Sequence, residues 1–134
     1  RKVFLRVDYA LILTFLCFFV FSSSLSANGT ISDALKKSVA GNEYLWSLGL
    51  SQLISNVPAS IVLWNFTTDL KALLYGLDTA GLITVIGSLA SVINLRLYTK
   101  EYPGRAMKFI AGFEGISLAF FAVVVIPQWL LLKN

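Results

Sequence analysis

The chain has 134 residues, 57% of them hydrophobic, and a mean hydropathy of +0.76, an apolar share well beyond that of a water-soluble domain. Its net charge of +4 sits on lysines and arginines that flank apolar runs rather than interleave with exposed aromatics, which argues for a membrane and against nucleic acid. With no histidine, one cysteine (Cys17) and no nucleophile–base pair or metal-ligand cluster, the segment offers no intrachain disulfide and no catalytic constellation, so it reads as a non-enzyme.

In chain order, the apolar run over about 9–26 follows Arg1, Lys2 and Arg6 and predicts one membrane span. A basic start and the small residues Ser26 and Ala27 also fit the outline of a signal peptide, a reading that the later apolar runs disfavour. The polar stretch 27–43, with Asp33, Lys36 and Lys37, predicts a loop or a short surface helix. Over about 44–66, two apolar arms flank Ser51, Gln52, Ser55, Asn56 and Pro58. Neither arm is long enough for a hydrocarbon core about 30 Å thick. Pro58 removes a backbone donor and frees the carbonyl of Ile54, so the stretch predicts a re-entrant helical hairpin with a buried polar tip. The apolar segment over about 70–97 is interrupted by Gly76, Asp78, Gly81 and Gly87-Ser88, and predicts two half-helices joined near Gly87. A last span is expected over about 109–132, kinked or ended by Pro127. Opening on Arg1, the chain reads as a single membrane domain cut from a longer protein.

Arg96, Lys100, Arg105 and Lys108 crowd the connection before the last span, whereas Lys36, Lys37, Lys71 and Lys133 fall on the other side. With Arg1 to Arg6, the positive-inside rule makes that connection and the N-terminus cytoplasmic. The two assignments agree only if the 44–66 stretch enters and leaves on one side.

The candidate site is built from oxygen donors. Ser51 and Ser55, four apart, and Asn56 at the break offer ligands that, with unwound carbonyls, suit a hard cation such as Na+, and free amides at a half-helix start face an anion. Their packing alternative is that they satisfy their own backbone or a neighbouring helix. Gly87 and Ser88 are read as the facing break rather than as a small-residue contact. Asp78, a carboxylate inside an apolar segment, is the proton-coupling candidate, its alternative being an interfacial pair with Lys71. Glu114 is expected to snorkel towards Lys108.

The strings Ser51-Gln52-Leu53-Ile54-Ser55-Asn56-Val57-Pro58-Ala59-Ser60 and Gly76-Leu77-Asp78, leading to Ile86-Gly87-Ser88-Leu89-Ala90, resemble the ion transporter superfamily. The branch they are most similar to is the citrate-transporter-like one that contains arsenite permeases and uncharacterised bacterial anion permeases. The resemblance covers nearly the whole chain. It implies an all-α membrane fold, the second half of an inverted-repeat transporter, in which Ser51, Ser55 and Asn56 line a cation and substrate site and Gly87 and Ser88 supply its other face. Sodium-coupled dicarboxylate members carry a threonine directly after the asparagine, where this chain has Val57 and then Pro58, which puts carboxylate substrates in doubt.

The expected function is therefore secondary active transport of a small anion or oxyanion driven by a proton or sodium gradient, in a bacterial inner membrane and without a cofactor. The expected partners are the lipid bilayer, the anion, the missing N-terminal repeat and, as an open option, a second copy of the chain in a homodimer. A cation/proton antiporter of the same fold and a noncatalytic membrane subunit are the competing readings.

Overall fold

A computed structural model describes residues 9–133. Arg1, Lys2 and Arg6, on which half of the orientation argument rests, lie outside them. The described chain is all helical: α1 (Tyr9–Ala27), α2 (Gly29–Val39), α3 (Glu43–Ile54), α4 (Asn56–Leu63), α5 (Leu70–Ala80), α6 (Leu89–Glu101) and α7 (Ala106–Lys133), with short 3₁₀ turns at Trp64–Phe66 and Val85–Gly87.

Two of these helices, α1 and α7, are long and apolar enough to cross a membrane. At about 1.5 Å per residue, the 19 residues of α1 reach about 28 Å and the 28 of α7 about 42 Å. Their outer faces carry large exposed apolar side chains, among them Leu13, Val20, Ile116, Val123 and Ile126, and Ser22 is the buried residue of α1. Such surfaces suit hydrocarbon and would be unfavourable in water. The proline of α7 neither ends the helix nor stands at its edge, since the helix continues six residues past Pro127 to Lys133.

The core lies between α3, α4 and α5. Val39, Ala59, Leu63, Phe66, Leu73 and Leu77 form it, with Leu25, Leu35, Leu50 and Ile54 packed around them. Helices α3 and α5 lie side by side and run the same way: Glu43 meets Asp69 at one end, Ser47 and Tyr44 meet Gly76, and Gln52 meets Ala80 at the other. Gly76 permits this contact, because a Cβ there would come within 2.6 Å of both Ser47 Cβ and the Tyr44 carbonyl.

Local sequence explains the ends. Asn28 caps α2 by accepting from the amide of Ile31, so part of the polar 27–43 stretch is helical, and Asp69 caps α5 by accepting from Ala72. Ser22 in α1 donates to the carbonyl of Ile61 and accepts from the side chain of Asn65, which ties α1 to α4. Helix α7 packs along α5, where Gln128 accepts from Tyr44 of α3 and from Thr79 near the end of α5, and the Leu131 carbonyl accepts from Lys71 near its start.

Candidate functional site

The helical run from Glu43 breaks at Ser55, three residues before the proline. Ser55 has φ +71° and ψ 156°, a backbone region normally reserved for glycine and costing about 1–3 kcal/mol for other residues. Pro58 is the third residue of α4, where backbone amides lack intrahelical partners in any case, so its missing N–H costs little there. The bend is thus carried by Ser55 rather than by Pro58 and a freed Ile54 carbonyl.

That shift changes the serine geometry. Ser51 is a helical residue and fully buried; Ser55 stands outside the helix, on the break. Both hydroxyl oxygens are buried with no hydrogen-bond partner among the described residues. An unpaired buried hydroxyl costs about 1–3 kcal/mol, and two of them, one on the strained residue itself, mark this turn as unfinished in terms of its own chemistry. The packing alternative, in which these serines bond to their own backbone, describes Ser47 instead, whose hydroxyl donates to the Glu43 carbonyl at 2.7 Å.

The second interruption is longer than a junction at Gly87. Helix α5 ends at Ala80 and α6 starts at Leu89, and the residues between make turn-like bonds, Leu82 N to Thr79 O, Ile83 N to Ala80 O and Gly87 N to Thr84 O. The two interruptions meet. Asn56 accepts, through Oδ1, a long 3.5 Å hydrogen bond from the amide of Leu89 at the start of α6. Gly87 is buried against Ala80 and Gln52; a Cβ there would lie 2.2 Å from the Ala80 carbonyl. Ser88 is half-buried, and its Cβ lies 3.0 Å from where a Cβ of Gly81 would stand.

Asp78 is not brought to this cluster. Gly76, Leu77, Thr79 and Ala80 of α5 are buried, whereas Asp78 is exposed on the opposite side of the helix. Nor is its side chain tied by Lys71, which donates instead to the carbonyl of Leu131 at 2.7 Å and lies over the ring of Tyr75.

Two polar residues with central positions carry no role in the sequence reading. Gln52 spans from α3 to the second interruption, donating to the Ala80 carbonyl at 3.0 Å and accepting from the Thr84 hydroxyl at 2.6 Å. Its signal was an uncharged amide in a segment too apolar to leave one unpaired; its partner carbonyl has no sequence signature. Glu43, only 2% exposed, accepts from the Thr68 hydroxyl at 2.6 Å and from the amides of Thr68 and Asp69 at 3.2 Å. Burial acts to raise its pKa, and these hydrogen bonds, led by that of the Thr68 hydroxyl, outweigh burial and hold the carboxyl below its ordinary value.

The chain is 35% identical over 101 residues to the inner membrane protein YbiR of Escherichia coli, and 38% identical over 94 residues to the uncharacterized transporter MJ0456 of Methanocaldococcus jannaschii. These matches take in 72% and 69% of this chain but 27% and 26% of the two relatives, so it spans about a quarter of the curated relatives it matches. No family model and no solved structure matches. The names of the two relatives point to a membrane transporter family and to a membrane location.

Proposed function

We propose that this chain is part of a secondary active transporter whose ion and substrate site lies where the α3–α4 and α5–α6 interruptions meet. The observation that carries the reading is the pair of buried, unpartnered hydroxyls of Ser51 and Ser55, beside an Asn56 that reaches the start of α6. Two hydroxyl oxygens and nearby carbonyls are the donor set of a hard cation such as Na+, and ligation would offset the cost of leaving those oxygens unpaired. Amides at the start of α6, beside Gly87 and Ser88, offer the complementary partial charge to a small anion or oxyanion.

In this reading α3 and α4 form a re-entrant hairpin, and α5 and α6 a helix broken in mid-membrane. The adjacency of Glu43 to Thr68, with Ser55 at the far turn, supports an excursion that starts and finishes at one end. The cluster Arg96, Lys100, Arg105 and Lys108 then lies on the cytoplasmic side. Alternating access in such a protein exposes the site to each side in turn, with cation binding coupled to anion binding. The anion class and the similarity to arsenite permeases rest on the two sequence strings. Asp78, away from the cluster, would carry a proton along a separate surface.

Uptake and efflux by the reconstituted full-length protein, against a panel of arsenite, dicarboxylates, sodium and protons, test this reading. We expect concentrative movement of one small anion that depends on a sodium or pH gradient, and Asp78→Asn to remove the pH dependence while retaining exchange. A chain that moves none of the panel under any gradient is a packing subunit instead.

A further inference from the structure

Gln52 is one residue removed from Ser51, yet its side chain does not stay in the hairpin. Its Nε2 donates to the Ala80 carbonyl at 3.0 Å and to the Leu48 carbonyl at 3.3 Å, and its Oε1 accepts from the Thr84 hydroxyl at 2.6 Å. Thr84 in turn accepts from the amide of Gly87 at 3.3 Å, so the amide of Gln52, the hydroxyl of Thr84 and the backbone of Gly87 form one chain of hydrogen bonds. Gly87 closes over it, since a Cβ there would lie 2.9 Å from Gln52 Nε2 as well as against the Ala80 carbonyl.

The chemistry of these partners selects the side chain. The carbonyl at the end of α5 needs a donor and the Thr84 hydroxyl needs an acceptor, both about one glutamine length from α3. A carboxylate supplies only the acceptor, an aliphatic side chain neither, and asparagine is one methylene short. The segment between α5 and α6 has only turn-like bonds of its own, so the link from α3 decides where it sits against the hairpin turn.

From this geometry we infer that Gln52 is a positioning residue: it fixes the spacing between the Ser55 turn and the 81–88 connection, and so holds Ser51, Ser55 and Asn56 in register with the start of α6. The inference rests on the proposed site for its functional meaning, but its structural content stands apart from transport.

Hydrogen exchange of the full-length protein in lipid nanodiscs, corrected for intrinsic rates, tests it through segments 53–58 and 82–89. Gln52→Leu is expected to lower protection about tenfold in both segments together, the scale of one or two lost hydrogen bonds. Gln52→Glu is expected to lose protection near about pH 8 and regain it near about pH 3, below the ordinary glutamate range, where the protonated carboxyl recovers a donor for Ala80. A merely space-filling side chain would not produce that recovery. Should Gln52→Leu fail to fold, Thr84→Val, expected to loosen 82–89 by a smaller factor, and the pH pair of Gln52→Glu carry the test. Wild-type protection in both segments of Gln52→Leu, or a loss in Gln52→Glu that does not respond to pH, overturns the inference. Since exchange requires no transport, a wild-type protein that moves nothing while showing these protection changes contradicts the transport reading and leaves this one standing.

Discussion

Glu43, at the first turn of α3, accepts a 2.6 Å hydrogen bond from the hydroxyl of Thr68, twenty-five positions further on, after the chain has passed out to Ser55 and back. One buried carboxylate thereby joins the two ends of the α3–α4 excursion.

Removing that acceptor should loosen the excursion at its base. Glu43→Leu is expected to cost about 2 kcal/mol and Glu43→Gln about 1 kcal/mol, since the glutamine keeps one acceptor oxygen but loses the charge. The carboxyl titrates below its ordinary value of 4.5 when folded, so its contribution is present in full above that value and fades as pH falls through the lower folded value. Thermal unfolding in detergent between about pH 3 and 7 should show this acid loss in the wild type and its absence in Glu43→Gln. An identical acid limb in both would mean that Glu43 is not the group responsible.

The proposed re-entrant hairpin sets an expected sidedness. In a Cys17→Ala background, cysteines at Asn42 and Thr67 should react with an impermeant maleimide from one side of the membrane, and a cysteine at Pro103 from the other. Labelling of Asn42→Cys and Thr67→Cys from opposite faces would exclude the re-entrant hairpin.

Glycine positions separate close backbone approach from mere tolerance. Gly76→Ala and Gly87→Ala place a Cβ at 2.6 Å and 2.2 Å from backbone carbonyls that have nowhere to go, and each should destabilise by about 1–3 kcal/mol. Gly112→Ala and Gly115→Ala meet nothing within 4 Å on α7 and should be neutral or slightly stabilising. Melting temperatures of the four variants in one detergent check the contrast; equal behaviour would mean that the α3–α5 contact is looser than 2.6 Å implies.

Helical content and the two apolar helices long enough to cross a membrane were legible because apolar run length is a property of the sequence itself. Ser51, Ser55, Asn56 and Gly87 stand out in the sequence by residue type and lie at two interruptions that meet; that they bind an ion or an anion is the proposal. Hidden from sequence was whatever depends on backbone angle or on a carbonyl partner. Proline is a visible breaker, so the bend was expected from Pro58, yet the strained φ of Ser55 carries it. Gln52 pairs with the Ala80 carbonyl and Glu43 with two backbone amides, and such partners leave no mark in residue identity. Asp78 stood out by charge alone, and helical phase then turned it away from the cluster.

Gradient-driven anion uptake into proteoliposomes carrying matched amounts of full-length wild type, Asn56→Leu and Ser55→Gly tests whether the meeting of the two interruptions is the transport site. Glycine adopts the backbone of Ser55 without strain and deletes the hydroxymethyl group that carries the ligand oxygen, and Asn56→Leu leaves the apolar arms that drive insertion untouched. Asn56→Leu is expected to fall to the level of protein-free liposomes, and Ser55→Gly to insert normally but need at least about tenfold more coupling ion for half-maximal uptake, the scale of one lost ligand. Wild-type uptake by Asn56→Leu, with an unchanged ion requirement in Ser55→Gly, would contradict the proposed site.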